Sequence, residues 1–182
     1  MATLLTDGTI SVRPHEPTDA DALYSAVKES IKEIGPWLPW CHPGYSMADA
    51  HGFIEFSRKG WADSSQFHFV ICLVGTTAIV GGISLNHIAK ANRLANMGYW
   101  VRTGAARRGV ATAAARLVAR YGFGNLGLTR IEIAAMPENV RSRRVAERLG
   151  AKFESLARNR LVMHERAHDA ALYSLVPADL VD

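Results

Sequence analysis

The chain has 182 residues, enough for one domain with a sizeable core, and 48% hydrophobic with 21% charged residues is a globular balance. Lys and Arg exceed Asp and Glu by four, which suits an anionic ligand but is too small an excess to imply nucleic-acid binding by itself. Two unpaired-looking cysteines, Cys41 and Cys72, point to a reducing cytoplasm. Met1 to Thr9 carries no leader pattern, and no apolar run approaches the roughly 20 residues of a membrane span.

Residues 9–14 alternate as a first strand closed by Pro14. Thr18 with Asp21 resembles a capping box opening a helix in which Ala22, Leu23, Ala26, Val27, Ile31 and Ile34 recur, stopped by Gly35-Pro36. Trp37 to Gly44 holds two prolines and a glycine and reads as a loop. Ser46 and Asp49 start a second helix, interrupted early by Gly52. Residues 67–74, 78–88 and 93–102 form an antiparallel meander. A helix follows Gly109 with Val110, Ala114, Leu117, Val118 and Tyr121 on its apolar face. A short strand at 131–134, a helix over about 139–149 capped by Gly150, and strands near 152–163 and 169–176 complete the order βααβββαβαββ. No repeat or linker interrupts it, so 1–182 is read as a single domain.

The chemistry centres on Tyr99 to Thr112, where a strand passes through an Arg/Gly turn straight into a helix. The first N–H groups of a helix have no partner inside it, and the helix dipole adds partial positive charge there. Gly109 places no side chain between those amides and an incoming oxyanion, so strand, turn and helix start together make a phosphate cradle.

Gly98-Tyr99-Trp100-Val101, Arg107-Arg108-Gly109-Val110-Ala111-Thr112 and Asn139 to Gly150 resemble the Gcn5-related N-acetyltransferases (GNAT). Trp37-Leu38-Pro39-Trp40, Gly82-Ile83-Ser84-Leu85, Ala91-Asn92-Arg93 and the stretch His168 to Leu175 are similar to its RimJ/RimL-type branch, whose best-known members acetylate N-terminal amines of ribosomal proteins. The resemblance implies an α+β, three-layer fold. Its mixed, mostly antiparallel sheet is splayed between two central strands, flanked by about four helices, with acetyl-CoA in the split and no metal. It assigns the pyrophosphate to Arg107, Arg108, Gly109, Val110, Ala111 and Thr112, and the pantetheine arm to the backbone of Trp100, Val101 and Arg102. Asn139 and Ser142 fall beside the thiol end, and Arg143 toward the nucleotide. Ala106 stands where the family usually has Gln or Arg, Ala151 where it has an aromatic, and Asn96 where many relatives carry Glu.

Transfer to an amine needs a neutral nucleophile, a donor at the thioester oxygen and a proton for the leaving thiolate. Ser142 is the candidate proton donor, Asn139 a catalytic candidate that also suits a helix cap, and His87 a candidate base or a structural histidine. Trp37, Trp40 and Tyr99 wall an acceptor pocket or pin a loop. His68 reads as core or edge filler, and Cys41 as an acyl-enzyme candidate or an inert thiol. The acceptor is expected to be a protein N-terminal α-amine, with a small amine such as an antibiotic or toxin as the alternative and a homodimer common in the family. Two other readings remain: an Arg-rich RNA or ribosome-binding module, and a zinc hydrolase on His164-Glu165-Arg166-Ala167-His168. The zinc reading needs a helix where the sequence is strand-like.

Overall fold

A computed structural model describes residues 4–180. Its strands are β1 (Leu5–Thr6), β2 (Ile10–Pro14), β3 (Phe67–Leu73), β4 (Ile79–Ala89), β5 (Leu94–Val101), β6 (Arg130–Ala135), β7 (Lys152–Met163) and β8 (Arg166–Leu175). The helices are α1 (Ala20–Ile34), α2 (Met47–Asp63), α3 (Val110–Gly124) and α4 (Val140–Leu149). Only the two-residue β1 lies outside the expected order, and it rests on β2 through Leu5↔Val12 and Thr6↔Ser11. The strands form one sheet in the order β1-β2-β3-β4-β5-β6-β8-β7.

Both faces are covered around its middle, so β3 is apolar almost throughout. Phe67, Phe69 and Ile71 join the core under α3, with Met97 of β5 and Ile131 of β6. Val70 and Cys72 join Leu23, Val27 and Ile54 under α1 and α2. The same alternation splits β5: Tyr99 and Val101 pack on the α3 side, and Trp100 packs on the α1/α2 side. The Trp100 ring lies over Gly82, its register partner on β4, where an added Cβ would come within 2.6 Å of the indole nitrogen.

Two helix starts follow from named caps. Ser46 and Asp49 form the expected capping box of α2, and Gly52 is accommodated within it. The start of α1 differs from expectation. Thr18 lies in a 3-10 turn (Pro17–Asp19), and Asp19 is the organising residue, accepting from Glu16 N at 2.7 Å and from both terminal nitrogens of Arg13. A bidentate Arg–carboxylate pair holds this turn against β2, a partner outside the helix that spacing along the helix does not reveal.

His15 and His68 flank the Phe53 ring at 5.2 and 5.3 Å. His15 Nδ1 and His68 Nε2 are buried with no hydrogen-bond partner among the described residues. Burial pushes both imidazoles down to about 4. A folded-state value below the unfolded one means the unfolded chain binds more protons between about pH 4 and 6.5, so stability rises with pH across that window and falls on acidification. Urea midpoints should therefore drop between pH 7 and pH 4.5. His15→Phe should flatten the dependence, by about 3 kcal/mol at most.

Candidate active site

Strands β5 and β6 run parallel and pair only at Leu94↔Arg130, Ala95↔Ile131 and Asn96↔Glu132. Beyond Asn96 they part. Met97–Val101 stays paired to β4 on one edge and is open on the other, about 17 Å of unpaired strand edge. Such an edge is a ready partner for an extended, amide-bearing chain.

The open edge leads through a 3-10 turn (Thr103–Ala105) to α3. Arg107 (φ 65°) and Gly109 (φ 79°) are both left-handed, a conformation only glycine adopts without strain. An added Cβ at Gly109 would meet nothing among the described residues within 4 Å, so the backbone is open at that point. No side chain caps α3, its first turn holds no acid, and its ladder begins only at Ala113 N to Gly109 O. Arg107 and Arg108 flank the turn, exposed. The site fits a pyrophosphate through backbone donors, and Ala106 adds no side-chain contact.

This loop is braced by α1, a role that the helical periodicity of α1 does not show. Glu29 accepts from Arg102 Nε at 2.6 Å and from Gly104 N at 2.9 Å. Ser30, fully buried, accepts from Thr103 N at 3.0 Å and donates to Ala26 O. Glu33 accepts from Thr103 Oγ1 at 3.1 Å. Hydrogen bonds from Arg102 and the Gly104 N–H hold the Glu29 carboxyl below its usual range. A serine within the apolar stripe of Ala26, Val27 and Ile34 was the available signal.

Across the split, Asn139 caps α4, its Oδ1 accepting from Ser142 N at 3.1 Å. Ser142 Oγ donates to the Tyr99 hydroxyl at 3.2 Å, and that hydroxyl donates to Ser142 O at 2.9 Å. Loss of hydration pushes Tyr99 up to about 12, so it stays a neutral phenol. Tyr99 is therefore brought to Ser142 and away from the two tryptophans. Trp40 instead packs with Tyr45, Phe53 and Trp100 on the other face. Trp37 lines a groove of about 460 Å³ with Glu33 and Asn139, where the end of α1 meets the start of α4.

Residues 10–152 match the profile of the acetyltransferase (GNAT) domain. The chain belongs to the GNAT acetyltransferase family. It is 32% identical over 168 residues to the Bacillus subtilis protein named "Putative ribosomal N-acetyltransferase YdaF", covering 92% of this chain and 91% of that one. A Vibrio cholerae structure described as a "putative ribosomal-protein-serine acetyltransferase" superposes with a TM-score of 0.86 at 27% identity, over 96% and 98% of the two chains. Mycobacterium smegmatis RimJ, solved in complex with a CoA disulfide, gives 0.83 at 26% identity, over 100% of this chain and 89% of that one. The chain is an acetyl-CoA-dependent N-acetyltransferase with the GNAT fold.

His87 is exposed with φ 49° where the β4–β5 register shifts, and it makes no hydrogen bond among the described residues. Arg143 is half-buried and donates to the Tyr173 hydroxyl at 3.2 Å and to Pro137 O at 3.1 Å. Cys41 is buried and its thiol is pushed up to about 11 by burial, which keeps it protonated and a poor nucleophile. His164 and Glu165 have positive φ and turn the β7–β8 hairpin, and His168 lies in β8 opposite Leu161. The two histidines thus lack the helical spacing of a zinc protease.

The α1 brace carries a prediction. Ser30→Ala leaves Thr103 N without its partner and should weaken acetyl-CoA binding about three- to tenfold by calorimetry, and Ser30→Thr should weaken it less.

Proposed function

We propose that this enzyme acetylates the α-amine of a protein or peptide N-terminus, by direct attack on acetyl-CoA without a covalent enzyme intermediate. The observation that carries the reading is the continuity of one path: uncapped α3 amides, then the open edge of β5, then Ser142 and Asn139 across the split. The names of the relatives, ribosomal in the Bacillus protein and ribosomal-protein-serine in the Vibrio one, support the peptide acceptor.

In this reading the N–H groups from Arg107 through Thr112 hold the pyrophosphate, and exposed β5 backbone at Trp100 to Arg102 pairs with the pantetheine arm. Backbone N–H near Val101 polarises the thioester carbonyl. As the new C–N bond forms and the C–S bond breaks, Ser142 gives its proton to the departing thiolate. It is reprotonated by water that takes up the amine's proton, so that the net proton moves from amine to sulfur. The half-buried, neutral Tyr99 accepts from the Ser142 hydroxyl and holds it in place. An N-terminal amine titrates at about 7.7–8.0 against about 10.4 for lysine, so a useful fraction is already neutral near pH 7.

Calorimetry on wild type and Gly109→Glu tests the cofactor path. Micromolar acetyl-CoA binding that the substitution abolishes is expected, and no binding by folded wild type at millimolar ligand would overturn the reading. Peptides beginning with serine or alanine should then be acetylated, with rates rising through about pH 8. Nα-blocked peptides carrying an internal lysine should be inert. A wild type that acetylates small amines but no peptide would move the acceptor to the small-molecule class.

A further inference from the structure

Helix α4 opens against its own electrostatics. Its first turn holds no acid, and Arg141 and Arg143 stand at the end where the helix dipole disfavours positive charge. Arg143 also precedes Glu147 by four residues, the less favourable order for an ion pair along a helix. Local rules of helix formation give no reason for an arginine at this position, so the reason lies outside the helix.

The chain leaves β6 through the turn Met136-Pro137-Glu138-Asn139, closed by Asn139 N donating to Met136 O at 2.9 Å. Proline at the second position presets the backbone of such a turn, and the carbonyl of that position finds no partner within it. Arg143 supplies the partner: a terminal guanidinium nitrogen donates to Pro137 O at 3.1 Å. Nε of the same side chain donates to the Tyr173 hydroxyl at 3.2 Å, and that hydroxyl donates to Glu147 Oε1 at 3.0 Å. Tyr173 comes from β8 and is only 1% exposed, with its ring edge-on to Phe153 at 5.5 Å. The ring is thus fixed by burial and its hydroxyl by two hydrogen bonds to α4.

Asn139, the last residue of this turn, is the cap whose Oδ1 accepts from Ser142 N, and the Ser142 hydroxyl meets Tyr99 of β5. Two tyrosines from two strands therefore grip the start of α4, Tyr99 at Ser142 itself and Tyr173 through Arg143. Resting on the reading of Ser142 as proton donor, we infer that Tyr173 and Arg143 are positioning residues of the transfer: they lock the Pro137–Asn139 turn and, through the Asn139 cap, set where Ser142 Oγ stands against the departing sulfur. A serine hydroxyl has a single short bond of reach, so its place is that of the backbone carrying it. A displacement of about 1 Å is enough to cost a reaction about a hundredfold. The planar guanidinium suits the task because it holds two partners at a fixed angle, which the point charge of a lysine does not. Its charge-assisted hydrogen bonds to Pro137 O and Tyr173 offset the penalty of a cation at a helix start. In this assignment Arg143 serves the chemistry through the protein, so it bears on kcat and not on acetyl-CoA affinity.

A double-mutant cycle on kcat tests the assignment, with acetyl-CoA calorimetry and a thermal melt on every variant. The acceptors are a serine-initiated hexapeptide and glycinamide as a generic α-amine. Tyr173→Phe, which keeps the buried ring, should lower kcat about tenfold, with acceptor KM and acetyl-CoA Kd within about twofold of wild type. Arg143→Gln should do the same, and Arg143→Lys, which keeps one charged donor, should lose less. Ser142→Ala should lower kcat about a hundredfold. Adding Tyr173→Phe to Ser142→Ala should cost less than about a further twofold, because the group it positions is gone. A further loss of about tenfold in that background would overturn the assignment, as would an unchanged kcat in Tyr173→Phe or a rise in acetyl-CoA Kd as large as the fall in kcat. The proton-donor reading stands or falls separately, on Ser142→Ala alone, and a wild-type kcat in that variant would overturn both. Wild-type turnover of glycinamide alone, with the same cycle, would support the positioning pair while removing the peptide reading. Wild-type binding of acetyl-CoA with turnover of neither acceptor would overturn both.

Discussion

The structure depends on an incomplete pairing. β5 and β6 share three residue pairs and then separate, leaving one edge of β5 without its ladder. An unpaired strand edge inside a sheet is costly unless something else satisfies it. The flanking elements hold the split at both ends: β4 stays paired to β5 as far as Val101, and β8 stays paired to β6 as far as Ala135. The missing ladder is thereby confined to one short segment, where an acyl carrier's amides can supply it.

The second constraint is that the chain after the split must reach helix α3 in a fixed geometry. The turn at Arg107 and Gly109 requires left-handed backbone at both residues. Its approach is tied to α1 through Glu29, Ser30 and Glu33. The same helix ends in the turn that carries Trp37 to the groove beside Asn139. The approach to the Arg/Gly turn and the groove wall are thus positioned by one rigid element, and a shift of α1 would be felt at both.

The alternation of side chains along β5 assigns its two faces to different tasks. Tyr99 faces α4 and orders Ser142, Trp100 faces the aromatic cluster around Trp40, and Asn96 donates to Asn86 of β4. In the proposed reading a single strand therefore offers backbone to the acyl carrier and side chains to opposite faces of the sheet. Neighbouring residues in sequence are separated by the thickness of the sheet.

Hydrophobic periodicity and turn residues were enough to place all four helices and every strand except the two-residue β1, because each long element buries a regular stripe. The Arg/Gly turn and the Asn139 cap were also legible, since backbone conformation and capping are local properties. Contacts between distant segments were not. Arg143 looked available and is held by Tyr173, Tyr99 was grouped with Trp37 and Trp40 but faces Ser142, and His87 sits exposed in a register shift. Nothing near Glu132 in sequence marks it as the neighbour of Asn96, because the two meet only when β6 lies parallel to β5. By itself the sequence determined the elements, their order and the Arg/Gly turn before α3, all set by interactions within a few residues. Which side chains share the split was decided only by the tertiary structure, because strand register and sheet face bring together groups separated by tens of residues.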